Sequence, residues 1–538
     1  MIQDTSRSLR LLAVLILLAL GIIVFLPVGA VLARSVWVDG HVSLDAYRTI
    51  LSSARQWGLL RNTLMIAAGA TILATLLGAA CGWALERFDV PGRKWLAGLL
   101  ALPLLIPPYV NAIVWADLLG RQGLLRFGLD VTASSVSTAL SPYTVAGVIL
   151  VLSLSYFPIV SLATAAAFRR YDPRVEEPAR LAMGGGRVFR SIAFPLIAPS
   201  ILSGALLVFV LSLVEFAVPS LLQVNVYAVE IYGRFSATYE FAQAAAQAMP
   251  LLLCGVAALA AWMLYIRPRQ GRLAGRAPRT DRIRKGGGQA WAAAGLCLGI
   301  VALAVVLPLA VMVQRSMPAG SYLDVWKTAR EEMASSLLLA ALSATVLTGL
   351  AFAMGLLARA RHRSACAYPA ALLGFLVSGP LLGIGLILVW NRPAPFALVY
   401  DTPIVLVLAC AARFLFFAYC AIDAALRDLP LRLDEAAAVA GVPWRRRAGT
   451  ILLPLVSPAL FGVWGLAFVL SLRELDAAVL VTPPGWTPLS VRLFSLMHYG
   501  PGRLVAALSV VTVMLVMAAA AMTALMYLKA RKLIDARR

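Results

Sequence analysis

Residues 195–213 read PLIAPSILSGALLVFVLSL, and residues 454–472 read PLVSPALFGVWGLAFVLSL. Pro454 follows Pro195 by 259 positions, and Phe468 of the shared FVLSL follows Phe209 by the same 259. Each stretch is a proline-headed apolar run that, at about 1.5 Å per helical residue, is long enough to cross about 30 Å of hydrocarbon. A span that recurs at a fixed offset predicts a helical membrane protein built from two repeats.

A second pair supports the duplication. RNTLMIAAGATILATL from Arg61 matches SSLLLAALSATVLTGL from Ser335, with Thr345 274 positions after Thr71. The two offsets differ because the loop after the third span runs near 119–142 in one half and near 391–402 in the other. Surface loops tolerate such changes. Apolar runs predict twelve spans. The first six lie near 11–33, 62–84, 95–118, 143–167, 196–222 and 245–266, and the others near 290–313, 335–358, 365–390, 403–424, 455–480 and 504–528. The expected fold is all-α and polytopic, with two parallel pseudo-repeats at 1–266 and 290–538. They are joined by the Arg-, Gly- and Pro-rich linker 267–289. Two such halves around a central path are a transporter architecture.

Composition agrees. Of 538 residues, 61% are hydrophobic and 13% charged, which excludes a disordered tail protein. The 47 Lys+Arg against 25 Asp+Glu leave a net charge of +22, which in a soluble chain would suggest nucleic acid. Here roughly two thirds of the basic residues fall in alternate loops, on the side that also holds both termini. That bias predicts cytoplasmic termini facing anionic lipid in a bacterial inner membrane, with nucleic acid not an expected partner. The first span follows Arg7 and Arg10, and its apolar run is longer than a cleavable signal core, so it is expected to be retained. Six scattered cysteines and three histidines offer no metal-ligand spacing, so no metal site is assigned.

The most informative loop is DEAAAVAGVPWRRRAGTILLPLVSPAL (434–460). Asp434-Glu435 begin an alanine run of high helix propensity, Gly441-Val442-Pro443 force a turn, and a second stretch meets Pro454. Its counterpart is RVEEPARLAMGGGRVFRSIAFPLIAPSI (174–201), where Pro178 replaces the first alanine and the glycine moves to Gly184. The spacing Glu435-Ala436-Ala437, Gly441, Pro454 resembles the EAA loop of type I ABC import permeases, which have the MetI-like fold. The resemblance implies that each loop docks into a separate ATPase subunit. It carries over Glu435, Ala436, Ala437, Gly441 and Pro454, and in the first half Glu176, Glu177, Gly184 and Pro195. It also implies an extracytoplasmic solute-binding protein and two ATPase copies as partners. Two fused halves look like ferric-iron permeases, with thiamine and aminoethylphosphonate permeases as near relatives. PPYVNAIVWADLLGRQGLL (107–125) and VEIYGRFSATYE (229–240) add loose matches, and polyamines stay open as substrates.

No enzyme activity is expected. A Walker A motif needs glycine before its Lys-Ser/Thr pair, and the one Lys-Thr pair, Lys327-Thr328, has Trp326 there. ATP is therefore expected to act on the partner, with no cofactor on this chain. Charged groups in or near spans are the candidate pathway residues. Glu215 and Glu474 each lie 20 residues beyond the repeated prolines, about 30 Å along a helix and so near the outer surface. With Asp476 and Asp117 they could receive a hard cation such as Fe3+, or simply cap span ends. Arg413 lies within the tenth span, where an unpaired charge costs at least ~2.5–3.5 kcal/mol. It should pair with Glu474 or Glu215, as a structural ion pair or as an anion contact; its counterpart at the 259 offset is Leu154. A rival class is a secondary transporter of the major-facilitator kind, whose loop between spans two and three GWALERFDVPGRK (82–94) resembles in part. Paired EAA-like loops have no role there, nor in a channel.

Overall fold

The computed structural model describes residues 2–38, 40–120, 141–170, 185–270, 286–317, 320–361 and 364–535. Among these the chain is helical throughout, apart from one antiparallel pairing of Trp37–Val38 with His41–Val42. The principal helices of the first part are α1 (Ser8–Val36), α2 (Ala54–Arg87), α3 (Arg93–Leu104), α4 (Pro108–Leu119), α5 (Val145–Arg170), α6 (Gly186–Leu213), α7 (Tyr227–Thr238) and α8 (Phe241–Ile266). Those of the second are α9 (Gly288–Arg315), α10 (Gly320–Arg361), α11 (Tyr368–Leu376), α12 (Gly379–Trp390), α13 (Ile404–Arg427), α14 (Leu431–Val439), α15 (Trp444–Leu472), α16 (Leu489–Tyr499) and α17 (Gly502–Lys532).

Ten of these are long and apolar enough to cross a membrane, or twelve if each of two bent pairs counts as one span. The bent pairs fall in the third and ninth spans. α3 and α4 meet at 89°, and α11 and α12 at 100°. Proline explains both breaks. Pro107, Pro108 and Pro380 lack the amide hydrogens that would continue the helix, and the chain is extended just before the second helix of each pair, at Pro107 (ψ 135°) and Ser378 (ψ 146°). Pro108 and Pro380 then occupy the first turn of the next helix, where a missing N–H costs nothing.

Proline also writes a finer mark. Wide π-turns occupy Gly21–Phe25, Phe189–Ala193, Trp262–Ile266, Ala302–Val306 and Ala448–Leu452. Each is followed two residues later by a proline: Pro27, Pro195, Pro268, Pro308 and Pro454. The proline ring would clash with the carbonyl four residues back, and one extra residue in the preceding turn relieves that clash. The turns at Phe189 and Ala448 are 259 apart, matching the repeat. Those at Gly21 and Ala302 are 281 apart and show that the first and seventh spans are repeats as well. FLPVGAVLARS (25–35) and VLPLAVMVQRS (306–316) carry that match, and their serines make the same contact, Ser35 Oγ with Tyr47 Oη at 2.7 Å and Ser316 Oγ with Tyr322 Oη at 2.6 Å.

The described chain packs as two compact units. One comprises Leu51–Glu230 and Met249–Arg315, and the other Met1–Ile50, Ile231–Ala248 and Ser316–Arg538. In the first unit α2, α5 and α6 form the core, and α9 lies against α2, α3 and α4. In the second unit α10, α13, α15 and α17 form the core, with α1 against α10, α12 and α13. The leading span of each sequence half thus packs with the other half's helices, so packing divides the chain differently from the proposed repeats 1–266 and 290–538. Cys81 of α2 and Cys297 of α9 are both buried and lie close enough for their thiols to interact across the contact between the two helices. Copper-phenanthroline oxidation is therefore expected to join them. With a protease site inserted in the linker, the two cut fragments should migrate as one band until reduced, and Cys81→Ser should abolish this. Free migration of the fragments from oxidised wild-type protein would rule out the α2–α9 contact.

Candidate functional site: an exposed loop and buried charge clusters

α13 ends at Arg427, and the chain then forms a small helix–turn–helix before α15 re-enters the bundle. α14 is capped at its start by Pro430 and ends in a hydrogen-bonded glycine turn. Val442 N–H donates to Ala437 O and Gly441 N–H to Ala438 O, both at 3.0 Å, with Gly441 at φ +78°. This is a Schellman closure, and it requires the left-handed backbone that glycine adopts freely. Pro443 then caps the next turn, accepting from the N–H groups of Arg446 and Arg447 at 3.0 Å. Arg447 closes the motif by donating to Asp434, at 2.9 Å to Oδ1 and 3.0 Å to its backbone oxygen.

The motif therefore has a fixed shape without a core of its own. No residue of α14 is buried, Glu435 and Ala436 are exposed, and Val439 is 90% exposed. Leu431 and Leu433 are exposed as well. A rigid helix offering Leu, Ala and Val beside one carboxylate is suited to a partner's groove. In the first half, Glu176, Glu177 and Gly184 lie outside the described residues. Pro195 is described, in the first turn of the repeated helix, as Pro454 is in the second half.

The base of the loop is gripped from two sides. Arg359 of α10 donates to the backbone oxygens of Leu426, Leu429 and Pro430, the last two at 3.3 Å. Tyr368 of α11 donates to Asp423 Oδ2, which Arg427 also meets at 2.8 Å. In the first half the corresponding region uses Glu86, buried and paired with Arg93 and with Arg169 Nε at 2.8 Å. Glu86 and Arg93 belong to the segment that partly resembles the major-facilitator loop. Here Glu86 ties the end of α2 to the start of α3 through Arg93 and to the end of α5 through Arg169.

The candidate pathway residues fall into separate groups. Arg413 of α13 meets Glu474 Oε1 at 3.2 Å and Asp476 Oδ2 at 3.0 Å, and all three side chains are buried. Glu474 also accepts the Ala477 N–H at 2.9 Å, and Ser490 donates to its backbone oxygen at 2.6 Å. Gly379 makes room for the cluster, since a Cβ there would overlap Arg413 Nη1 and Asp476 Cβ. In the other unit Glu215 accepts from Tyr156 Oη at 2.9 Å and from the Val218 N–H at 3.3 Å. Tyr156, and not the offset counterpart Leu154, therefore supports the first-half carboxylate. Asp117 stands apart from both groups, half-exposed and 4.0 Å from Arg315.

Glu215 and Glu474 follow the ends of α6 and α15, as their spacing from the prolines predicts, and both side chains are buried within the protein. The chain does not leave the bundle after them. It turns into short helices, Ala217–Leu221 and Ala478–Val481, and each carboxylate holds the N–H three residues on.

The described chain is a multi-pass helical bundle with a repeated proline-headed span and an exposed helix–glycine–helix loop. Residues 74–272 match the family described as binding-protein-dependent transport system inner membrane component, so the chain carries a type I ABC import permease domain of MetI-like fold in a multi-pass inner-membrane protein. It is 27% identical over 233 residues to an Fe(3+)-transport system permease protein of Haemophilus influenzae, covering 43% of this chain and 41% of the relative. It is 27% identical over 205 residues to a putative 2-aminoethylphosphonate transport system permease protein of Salmonella choleraesuis, covering 38% and 72%. A molybdenum transport system permease protein of Escherichia coli is 29% identical over 168 residues, covering 30% and 69%. The chain thus spans well under half of the iron permease's length and about seven tenths of the other two.

Proposed function

We propose that the protein is the transmembrane subunit of a binding-protein-dependent ABC importer, with both sequence halves acting as permease repeats. Two ATPase subunits dock on it, one at 434–460 through Glu435, Ala436, Ala437 and Gly441, the other at 174–201 through Glu176, Glu177 and Gly184. Both loops and both termini face the cytoplasm, and a solute-binding protein delivers substrate to the opposite side. The observation that carries this proposal is α14 itself, a nine-residue helix held rigidly at both ends yet without a single buried residue.

Ferric iron is the substrate proposed. Support comes from the iron permease among the relatives and from carboxylates that outnumber cations at the ends of α6 and α15. Neutralised by Glu474 and Asp476, Arg413 is poorly placed to hold a free anion. Aminoethylphosphonate is the second proposal, favoured by the greater coverage of that relative. Proteoliposomes holding the permease, its ATPase and its binding protein distinguish these outcomes. Uptake of radiolabelled ferric iron should require internal ATP and stop with an ATPase-dead partner. Labelled aminoethylphosphonate accumulating in its place would move the substrate assignment. Uptake driven by ion gradients with ATP depleted would overturn the importer assignment itself.

A further inference from the structure

The geometry points to Arg359 as a positioning residue that sets how the docking helix α14 leaves the membrane bundle; this rests on the docking role proposed above. Arg359 sits in the last turn of α10, a 42-residue helix that packs against α13, α15 and α17. Its guanidinium donates to three backbone oxygens in another element. Leu426 lies in the final turn of α13, Leu429 follows it, and Pro430 is the residue that caps α14. The carbonyls at a helix end have no partners within the helix and carry its negative dipole end, so a fixed cationic fork is well matched to them. The acceptors span the whole junction. One arginine therefore fixes both the end of α13 and the start of α14 to α10.

In the first half, Leu85 stands at the position 274 before Arg359, and the neighbouring Glu86 reaches Arg93 and Arg169 instead. That tie joins side chain to side chain in the helix end, whereas Arg359 holds the backbone of the outgoing chain. Below the junction, Arg447 and Asp434 lock α14 to the turn that follows. Force applied to α14 by a partner is thus delivered to α10 through Arg359, with little slack in the connecting segment.

The test uses the full chain in lipid nanodiscs, alone and with its ATPase subunits. A spin label at Val439→Cys reports the motion of α14 without any partner, and ATP hydrolysed per substrate taken up in proteoliposomes reports coupling. Arg359→Ala should mobilise the label and raise the ATP spent per substrate roughly tenfold, within the range of ordinary coupling free energies, while the ATPase still co-purifies. Arg359→Lys, which keeps charge and some donors, should recover much of both. Arg359→Gln replaces alanine should the latter fail to insert. Unchanged label mobility and coupling in Arg359→Ala, or a lysine variant no better than alanine, would overturn the assignment. Failure of the docking proposal is distinguishable, because Glu435→Ala would then also leave coupling intact while the label response to Arg359→Ala persists.

Discussion

Arg413→Met is expected to remove most of the protein's stability in detergent. The substitution keeps roughly the length of the side chain but leaves Glu474 and Asp476 buried without their shared cation. Breaking a buried ion pair by deleting one partner costs about 3–5 kcal/mol, a large part of what holds a domain together. The fraction of monodisperse protein remaining after a heating series should show the loss directly. Glu474→Gln should cost less, since Arg413 keeps Asp476 and the amide can still accept from Ala477. The triple change Arg413→Met, Glu474→Gln, Asp476→Asn should restore part of the stability, because the mutually interacting charges are removed together and only the neighbouring Arg473 keeps its charge. Uptake by that variant then separates two roles. Normal uptake makes the cluster a structural brace, while a stable protein without uptake places it in the pathway. An Arg413→Met protein as heat-resistant as wild type would remove the ion-pair account altogether.

Gly441→Val should cut transport sharply with the spans intact. Gly441 holds φ +78°, and a side chain there costs about 1–2 kcal/mol, with further strain for a β-branched residue. The Schellman closure would open, and α14 would no longer meet the next helix at its present angle. Because the motif is exposed and has no core, the strain should appear as lost docking rather than global unfolding. Uptake is expected to fall by roughly tenfold or more, the factor that 1.4 kcal/mol produces in an equilibrium. Glu435→Ala should leave the turn closed and act on the partner contact alone. Co-purification of the ATPase together with circular dichroism reports the difference. Wild-type uptake in both variants would exclude this loop as the coupling element.

Much of this was legible in the sequence because the signals are local. Span length, the proline-headed repeat and the turn at Gly441 depend on neighbouring residues. So does the need for Arg413 to find a carboxylate, and Glu474 was the partner reached. Other features depend on which helix meets which, and apolar surfaces do not declare that. The exchange of α1 and α9 between the packing units is of this kind. A sequence signal for their kinship did exist in FLPVGAVLARS and VLPLAVMVQRS, but at an offset of 281 it falls out of step with the 259 and 274 of the other pairs. The burial of Glu215 and Glu474 was not legible because counting 1.5 Å per residue measures distance along a helix, not what packs around it. Tyr156 was missed because a tyrosine inside a span is unremarkable until its hydroxyl has a carboxylate to meet. Arg359 looked like one more basic residue of the orientation signal.

The exchanged leading spans impose an order on synthesis. α1 is made first, yet α12 begins at Gly379, 343 positions after Val36. At about 5–20 residues per second, α1 waits roughly 20–70 s in the membrane before α12, one of the helices it packs against, begins to exist. Throughout that time its inward face is without its final neighbours, open to insertion chaperones or to membrane proteases. A ribosome that stops in the linker would therefore release a first half with an orphaned leading helix and with the place of α9 empty. Such a fragment should be short-lived in cells, so truncated copies would be cleared before they could occupy ATPase subunits.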